Sequence, residues 1–374
     1  MKDTKSLFEK SLKNNETILS NIKNPDVFSL DYIPSEIYIR KELESIADYL
    51  AKYVLTGIPN NLIVYGNKGS GKTTSILNLL NAFKEGNKLD YIYLNVAENQ
   101  TSYKLFEEIA GKKVKGYGLG DTIDWAREKI KGRYIVVLDE TDLLKDNRIL
   151  YILSRQIKVN LIILTQKLFW FNSLEESIKS SLQPIHINFK AYEVDEIKTI
   201  LNMRAKEGLN KYEEGGINLM SAIIYRDYNS DVRVGIKALY ILGQSNDWNN
   251  ETINKSLEQA YKEVEYSVIR NLKDTEIIIL TALMKEPNTN KAYIIAENYM
   301  NEILGYSVKK KQYFNIIHDL NNLGLFNIVR KREGRYYTLE VQMLMPDNKL
   351  IQSELKNRFD IKEWEYGRNH EFSI

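Results

Sequence analysis

The chain has 374 residues, no cysteine and a nearly balanced charge, with 52 Lys and Arg against 50 Asp and Glu. A chain of this length is expected to form two or three domains, and without cysteine it can hold neither a disulfide nor a zinc–thiolate site. The charge balance identifies no partner, so any nucleic-acid surface must be local, and the lack of a long apolar segment predicts a cytoplasmic protein without signal peptide or membrane span.

Hydrophobic periodicity divides the sequence into four segments. Residues 1–23 are typical of a polar amphipathic helix. Residues 24–190 alternate short apolar runs with helical patterns, which predicts an α/β domain with a parallel sheet and helices on both faces. Residues 191–262 carry helical periodicity and few strand signals, which indicates a small helical domain, and residues 263–374 form a separate C-terminal domain. The predicted strands are residues 61–65, 90–95, 134–138, 160–165 and 185–189.

The most specific motif is a phosphate-binding loop at residues 66–73, GNKGSGKT, which lies between a β-prone run and a helical pattern. In such a P-loop, backbone N–H groups surround the phosphates and the helix N-terminus adds positive potential. We therefore expect ATP or ADP here, with Lys72 at the β- and γ-phosphates and Thr73 on Mg²⁺. The predicted nucleotide-binding residues of the loop are Gly66, Asn67, Lys68, Gly69, Ser70, Gly71, Lys72, Thr73 and Thr74.

A second motif supports the first. The apolar run Tyr134–Leu138 is typical of a buried parallel strand, and it ends in Asp139 and Glu140. A carboxylate at the end of such a strand lies beside a phosphate loop, so Asp139 is the expected Mg²⁺ partner. Glu140 is placed to orient or deprotonate the attacking water.

The C-terminal segment has the layout of a winged helix. Helices are predicted from Asp274 to Lys285, from about Lys291 to Leu304, and from Ser307 as N-cap to just before Gly324. Two β-prone runs follow and form a hairpin, Leu325–Arg332 and Arg335–Val341. The third helix of this helix-turn-helix variant commonly enters the major groove of DNA.

The charge of this segment fits DNA binding. Between Ser307 and Tyr337 there are seven basic side chains against two acidic ones, at the start of the third helix and around the hairpin tip. Both places would meet phosphates. The alternative is a winged helix that contacts protein and has a solvated basic face. The predicted DNA-binding residues are Lys309, Lys310, Lys311, Arg330, Lys331, Arg332 and Arg335.

In the order of these motifs, the chain resembles the archaeal replication initiators. Those proteins are related to the eukaryotic origin recognition complex and cell-division-control proteins. The resemblance covers about residues 24–345 and implies an AAA+ ATPase base, a helical lid and a C-terminal winged helix. It also implies ATP or ADP and Mg²⁺ as cofactors. The similar segments, besides the phosphate loop, are Val27–Pro34, Asn60–Gly66, Tyr93–Asn95, Ser230–Arg233 and Leu320–Leu325.

The resemblance assigns roles and partners as well. Arg40 stands where the family has an arginine near the adenine base, and Arg233 corresponds to the lid arginine that reaches the γ-phosphate. Residues 96–120 correspond to an insertion that is expected to touch DNA. The implied partners are double-stranded DNA, the replicative helicase and initiator paralogues, which implies a nucleoid-associated protein.

Two positions depart from the family pattern. Gln166 replaces an asparagine, which puts one more methylene into a catalytic side chain, and Ser177 replaces the arginine that serves a neighbouring subunit's ATP. An arginine finger is worth roughly 10³–10⁵ in rate, and Lys179 lacks its planar fork. With Glu140, Gln166 and Arg233 as catalytic residues, we expect a slow ATPase that uses ATP mainly as a conformational switch.

Three functions remain open from the sequence. The first is ATP-regulated, sequence-specific binding of duplex DNA at a replication origin, followed by recruitment of the helicase. The second keeps the fold but binds promoters as a transcription regulator, which the missing arginine slightly favours. The third is a signalling ATPase whose winged helix contacts protein.

Overall fold

A computed structural model of the chain describes residues 4–112, 116–166, 168–245, 247–270, 272–322, 325–333, 336–343 and 348–359. The chain divides into two compact units, Met1–Tyr261 and Lys262–Ile374. The finer division of the first unit into an N-terminal segment, a base and a lid stays a prediction. In the part of the chain described, no helix is long and apolar enough to cross a membrane.

The first unit is built on a five-stranded parallel sheet with the order β2-β3-β4-β1-β5. This confirms the predicted parallel sheet, with each strand within one residue of its expected bounds. Because the strands are parallel, the carboxyl ends of β1, β3 and β4 lie at one edge. The strands are β1 (Leu62–Tyr65), β2 (Asp90–Asn95), β3 (Tyr134–Asp139), β4 (Asn160–Thr165) and β5 (Ile185–Asn188).

Both faces of the sheet are covered, which is why its central strands are continuous apolar runs. In β3 every residue is buried, and successive side chains enter opposite cores. Ile135 and Val137 belong to one core, and Val136 and Leu138 belong to the other. The strand can therefore place Asp139 at its end without exposing any of its own apolar surface.

Helices account for the remaining regular structure of the first unit. Helix α6 continues directly as a π-helix over Ile152–Ile157, and α12 extends across the boundary into the second unit. The helices are α1 (Thr4–Ile18), α2 (Lys41–Thr56), α3 (Lys72–Glu85), α4 (Ser102–Ala110), α5 (Leu119–Lys129), α6 (Arg148–Tyr151), α7 (Phe169–Asn172), α8 (Glu176–Leu182), α9 (Val194–Gly208), α10 (Glu214–Asp227), α11 (Val232–Ser245) and α12 (Asn250–Arg270).

The second unit contains the predicted three helices and hairpin, in the order expected of a winged helix. Its core is formed around Tyr313, which is fully buried and donates its hydroxyl hydrogen to the Thr289 carbonyl oxygen at 2.9 Å. The elements are α13 (Asp274–Lys285), α14 (Thr289–Leu304), α15 (Lys310–Asn322), the antiparallel strands β6 (Phe326–Glu333) and β7 (Tyr336–Met343), and α16 (Asn348–Phe359).

The predicted start of the third helix was wrong. Helix α15 begins at Lys310, three residues after Ser307. The intervening chain is irregular because Val308 is buried in the core, and its carbonyl oxygen accepts a hydrogen bond from the Tyr293 hydroxyl at 3.3 Å. Gly324 and the hairpin tip at Gly334 and Arg335 lie outside the described residues.

Helix α16 was not predicted. It buries Ile351 and Leu355 in the core of the second unit. It also carries Glu354, which is buried and accepts hydrogen bonds from Arg358 Nε at 2.9 Å and the Tyr266 hydroxyl at 2.8 Å. Arg358 in turn donates to the carbonyl oxygens of Arg270 and Leu272, at 2.8 and 2.6 Å, where α12 ends.

This packing predicts the stability of the second unit. Leu355→Ala removes a side chain that is 3% exposed, and we expect it to lower the free energy of unfolding by about 2–5 kcal/mol. Gln352→Ala, on the exposed side of the same helix, should change it by no more than about 0.5 kcal/mol. Denaturant unfolding of the full chain measures both, and equal effects of the two substitutions would contradict this placement of α16.

Candidate functional site

The phosphate loop lies between β1 and α3, at the carboxyl edge of the sheet. Gly69 and Gly71 have φ of +72° and +79°, a region that L side chains rarely adopt. Space is also restricted there, because a Cβ atom at Gly69 would overlap the Asp231 carboxylate and one at Gly71 would overlap the Tyr192 hydroxyl. The glycines are therefore required both for the turn and for the close approach of two other segments.

Lys72 is the first residue of α3 and is buried, with 9% of its surface exposed. Its Nζ donates to the carbonyl oxygens of Gly66 and Asn67, at 2.8 and 3.0 Å, so the amine lies inside the curve of the loop. Burial lowers the pKa of Lys72 to about 8, although the charges of Asp139 and Asp142 act in the opposite direction.

Asp139, at the end of β3, is joined to the loop by a hydrogen bond. Its Oδ2 accepts from the Thr73 hydroxyl at 2.6 Å and from the Tyr93 hydroxyl at 3.0 Å. A hydroxyl and a carboxylate are oxygen donors of the kind Mg²⁺ prefers. Among the described residues, no group of three or more His, Cys, Asp or Glu could hold a metal, so Mg²⁺ would also need phosphate oxygens.

Glu140 follows in a left-handed conformation, with φ 51° and ψ 40°. Its own N–H donates to Asp139 Oδ1 at 2.8 Å. Burial and the neighbouring Asp139 charge raise the pKa of Glu140, against the effect of Lys68. A non-glycine residue in this region is strained, and such strain clusters at functional sites. A partly buried carboxylate of raised pKa at this position suits a general base.

The ends of β3 and β4 are tied together beside the loop. Thr141 donates its hydroxyl hydrogen to the carbonyl oxygens of Leu138 and Leu164, at 2.9 and 3.1 Å. Asp142 accepts from the Thr165 hydroxyl at 2.9 Å. Gln166 follows Thr165 directly and is partly exposed, so the structure brings it to the same edge as Glu140.

Arg40 closes the other side of the loop. It is 6% exposed, and it donates to the Ser70 and Lys190 carbonyl oxygens at 3.3 and 3.1 Å. Its guanidinium carbon lies 4.5 Å from the centre of the Tyr192 ring. Burial raises the pKa of Tyr192 to about 12, although the Arg40 charge lowers it. The Ser70 hydroxyl is buried and, within the described chain, has no hydrogen-bond partner, as expected of a group that faces a ligand.

The turn before α11 contacts the phosphate loop at Gly69. Arg233 forms an ion pair with Asp231, with Nη2 2.5 Å from Oδ2. The positive charge of Arg233 lowers the pKa of both Lys72 and Glu140. The structure thus brings together the phosphate loop, Arg40, Asp139, Glu140 and Arg233, residues that the sequence places far apart.

Three residues of this site were not assigned a role from the sequence: Tyr93, Tyr192 and Asp231. Tyr93 could have been found, because Asn95 pairs with Asp139 in the parallel register and residues two apart share a face. No local signal identifies Tyr192, which approaches only because the chain passes the loop again after β5. In the sequence, Asp231 stands out only as part of the Arg233 motif.

Ser177 lies on α8 and is exposed. Lys179, two residues on, is 2.9 Å from Glu176 and so already has a carboxylate partner. Neither residue offers a guanidinium on this face of the unit. Slow hydrolysis stays a prediction.

The predicted DNA-binding side chains occupy two elements of the second unit. Lys309, Lys310 and Lys311 are exposed at the start of α15, and Arg330, Lys331 and Arg332 are exposed on β6. Of the charges on the strand, Lys331 lies 3.1 Å from Glu340 on β7. Tyr337 adds an aromatic ring that is 69% exposed. Arg335 lies outside the described residues.

The predicted insertion at residues 96–120 forms α4 and the start of α5. The rings of Tyr117 and Trp125 lie 5.0 Å apart in an edge-on arrangement, and Lys112 Nζ is 5.1 Å from the Trp125 ring. Lys112 and Tyr117 of the insertion therefore lie beside Trp125, which follows the insertion on α5. Residues 113–115 are outside the described chain.

Comparison with known proteins agrees with this architecture. Residues 59–175 match a family model described as an AAA domain. The chain is 26% identical over 367 residues to ORC1-type DNA replication protein 1 of Sulfurisphaera tokodaii. The alignment covers 88% of this chain and 92% of that protein.

Two solved structures share the fold. The Aeropyrum pernix ORC1 protein in complex with DNA has a TM-score of 0.72 and 24% identity, over 91% of this chain and 98% of that one. The Aeropyrum pernix ORC2 protein, in ADPNP–ADP complexes, has a TM-score of 0.58 and 20% identity, over 89% and 97%. The resemblance to archaeal initiators of this type and the AAA+ fold are thus confirmed.

The buried amine of Lys72 predicts how nucleotide affinity depends on pH. Only the protonated amine attracts phosphate, and its pKa of about 8 is well below the ordinary lysine value. ADP affinity should therefore fall as the pH rises through about 8, by up to about tenfold per pH unit, where an ordinary lysine would stay charged to about pH 10. Calorimetric titration between about pH 7 and 9.5 measures this. The Lys72→Met protein, which lacks the amine, should bind weakly without this dependence, and a flat profile for the wild-type protein would contradict the assignment.

Proposed function

We propose that this chain, an AAA+ protein that resembles ORC1-type DNA replication proteins along most of its length, is an ATP-regulated binder of duplex DNA of the replication-initiator type. The observation that carries the proposal is that one chain contains both a phosphate-loop site and a second unit in winged-helix order with exposed basic side chains. The first unit supplies the nucleotide switch. The second unit supplies the main DNA contact.

The nucleotide site performs its task with few residues. The loop N–H groups and Lys72 bind the β- and γ-phosphates, and Arg40 packs beside the loop where an adenine base would lie. Thr73 and Asp139 would hold Mg²⁺, which in this chemistry neutralises charge on the phosphate oxygens. Glu140 orients or deprotonates the attacking water, and Gln166 forms a hydrogen bond with that water or with the phosphate. Arg233, on the lid, reaches the γ-phosphate.

Hydrolysis in this protein is proposed to be slow. Ser177 stands where the family places the arginine that acts on a neighbouring subunit's nucleotide, and Lys179, two residues on, is paired with Glu176. Loss of an arginine finger costs roughly 10³–10⁵ in rate. ATP then acts by being bound, and its slow conversion to ADP resets the switch.

DNA binding is proposed for α15 and the hairpin. A three-helix unit of this kind inserts its third helix into the major groove, and its flanking basic residues contact phosphates. Lys309, Lys310 and Lys311 stand at the start of α15, where such contacts occur. The Aeropyrum pernix ORC1 protein, which shares this fold, was solved in complex with DNA, and that complex supports the same role here. The insertion at residues 96–120, which carries Lys112 and Tyr117, would add a second contact from the ATPase unit.

The proposed biological target is a replication origin, with the replicative helicase and initiator paralogues as partners. A promoter-binding regulator is the second candidate, and the serine at position 177 is the observation that favours it, because such a role needs less cooperation between stacked subunits. A signalling ATPase with a protein-binding second unit is the third candidate, and it predicts no salt-dependent affinity for DNA.

Removal of one basic side chain tests the DNA-binding surface. Lys310→Ala should weaken duplex binding uniformly across sequences and reduce the slope of log affinity against log salt by about one, because one phosphate contact is lost. Fluorescence anisotropy across a salt series measures both quantities. Lys356→Ala, an exposed lysine on α16, is the matched control and should change neither. If the two variants behave alike, α15 is not the DNA surface.

ATP turnover tests the proposed switch. The protein alone should hydrolyse ATP at well below about one per second. Glu140→Gln should lower this rate by a further factor of about 10²–10⁴ while nucleotide affinity persists, because the general base is lost but the phosphate contacts remain. Phosphate release at saturating ATP gives the rate. A wild-type turnover well above about one per second would contradict the switch hypothesis.

A further inference from the structure

Asp231 holds the guanidinium of Arg233 through several hydrogen bonds. Arg233 Nε donates to Oδ1 and Oδ2 at 2.9 and 3.1 Å, and Nη2 donates to Oδ2 at 2.5 Å. The two side chains are partly buried, with 31% of Arg233 and 15% of Asp231 exposed. A forked arginine–carboxylate pair fixes the orientation of the guanidinium as well as its position.

The same carboxylate lies against the phosphate loop. A Cβ atom added to Gly69 would overlap Asp231 Oδ1, so the lid turn and the loop are in direct contact. The turn itself is built from two successive left-handed residues, Asn229 and Ser230, with φ of 49° and 58°. Such a conformation costs free energy and persists where the surroundings determine it. Asp231 is therefore held at this point by the fold.

The pair is also within electrostatic range of the catalytic groups. The Arg233 charge lowers the pKa of Lys72 and of Glu140. A carboxylate alone beside a phosphate loop would repel the phosphates, but the arginine neutralises it. The pair engages Nε and Nη2 of Arg233.

We propose that Asp231 is a positioning residue that holds Arg233 for the terminal phosphate of a nucleoside triphosphate. The inference rests on the proposed nucleotide site. It adds that discrimination between triphosphate and diphosphate depends on this carboxylate. Because Asp231 also contacts Gly69, it ties the lid turn to the phosphate loop.

Asp231 has a second role that the test must separate. Its Oδ1 accepts a hydrogen bond from the Arg233 backbone N–H at 3.0 Å, so it caps the N-terminus of α11. Serine caps helices about as well as aspartate but cannot bind a guanidinium through two oxygens. Asp231→Ser therefore keeps the cap and removes the pairing. Asp227→Ser is the matched control, because Asp227 pairs with Arg226 on the exposed surface of the same lid, at 2.7 Å.

The experiment measures the affinities of ADP and of a non-hydrolysable ATP analogue, with Mg²⁺, for the full chain by calorimetry, together with thermal unfolding. Asp231→Ser should lower the ratio of triphosphate to diphosphate affinity by about tenfold, with little change in unfolding temperature. Asp227→Ser should leave the ratio unchanged. In an Arg233→Ala background, which itself lowers the ratio, Asp231→Ser should have no further effect, because the carboxylate acts through the arginine.

Two results would overturn the inference while the nucleotide site stands. An unchanged ratio in Asp231→Ser would reduce Asp231 to a helix cap, and a raised ratio would mean that the carboxylate competes with phosphate for Arg233. A wild-type chain that binds neither nucleotide would instead remove the proposed function, and this inference with it.

Discussion

The site depends on one electrostatic constraint, the placement of a buried lysine beside buried carboxylates. Lys72 is desolvated and its pKa falls to about 8, and Asp139 and Asp142 are the groups whose charges oppose that fall. Burial of one charge without the others would be costly. The parallel sheet resolves this, because it brings the ends of β1, β3 and β4 to the same edge. The positions of the phosphate loop, of Thr73 and Asp139, and of Glu140 all follow from that arrangement.

Two further segments contact the phosphate loop. Arg40 contacts the loop at Ser70 and stacks on Tyr192, and Asp231 contacts the loop at Gly69. The close approach of Tyr192 to Gly71 and of Asp231 to Gly69 requires glycine at both positions, so these glycines serve packing as well as the turn.

Much of the fold and part of the site could be predicted from the sequence. The strands were found because buried parallel strands are continuous apolar runs. Lys72 and Thr73 were singled out because they lie within one short motif, and Asp139 because it ends such a run. Tyr192 and Asp231 could not be found in this way, since their positions depend on how distant segments return to the loop. The start of α15 was predicted wrongly at Ser307, because the burial of Val308 outweighed the preference of serine for an N-cap position. Helix α16 was missed because its apolar face is short, with Ile351 and Leu355 buried and Leu350 and Phe359 partly buried.

The central claim is that this switch directs the protein to a replication origin. Genome-wide occupancy of the protein in its host tests it most directly. The account predicts peaks confined to an origin of replication. Peaks spread over many promoters, with none at an origin, would contradict it and would indicate a transcription regulator on the same fold.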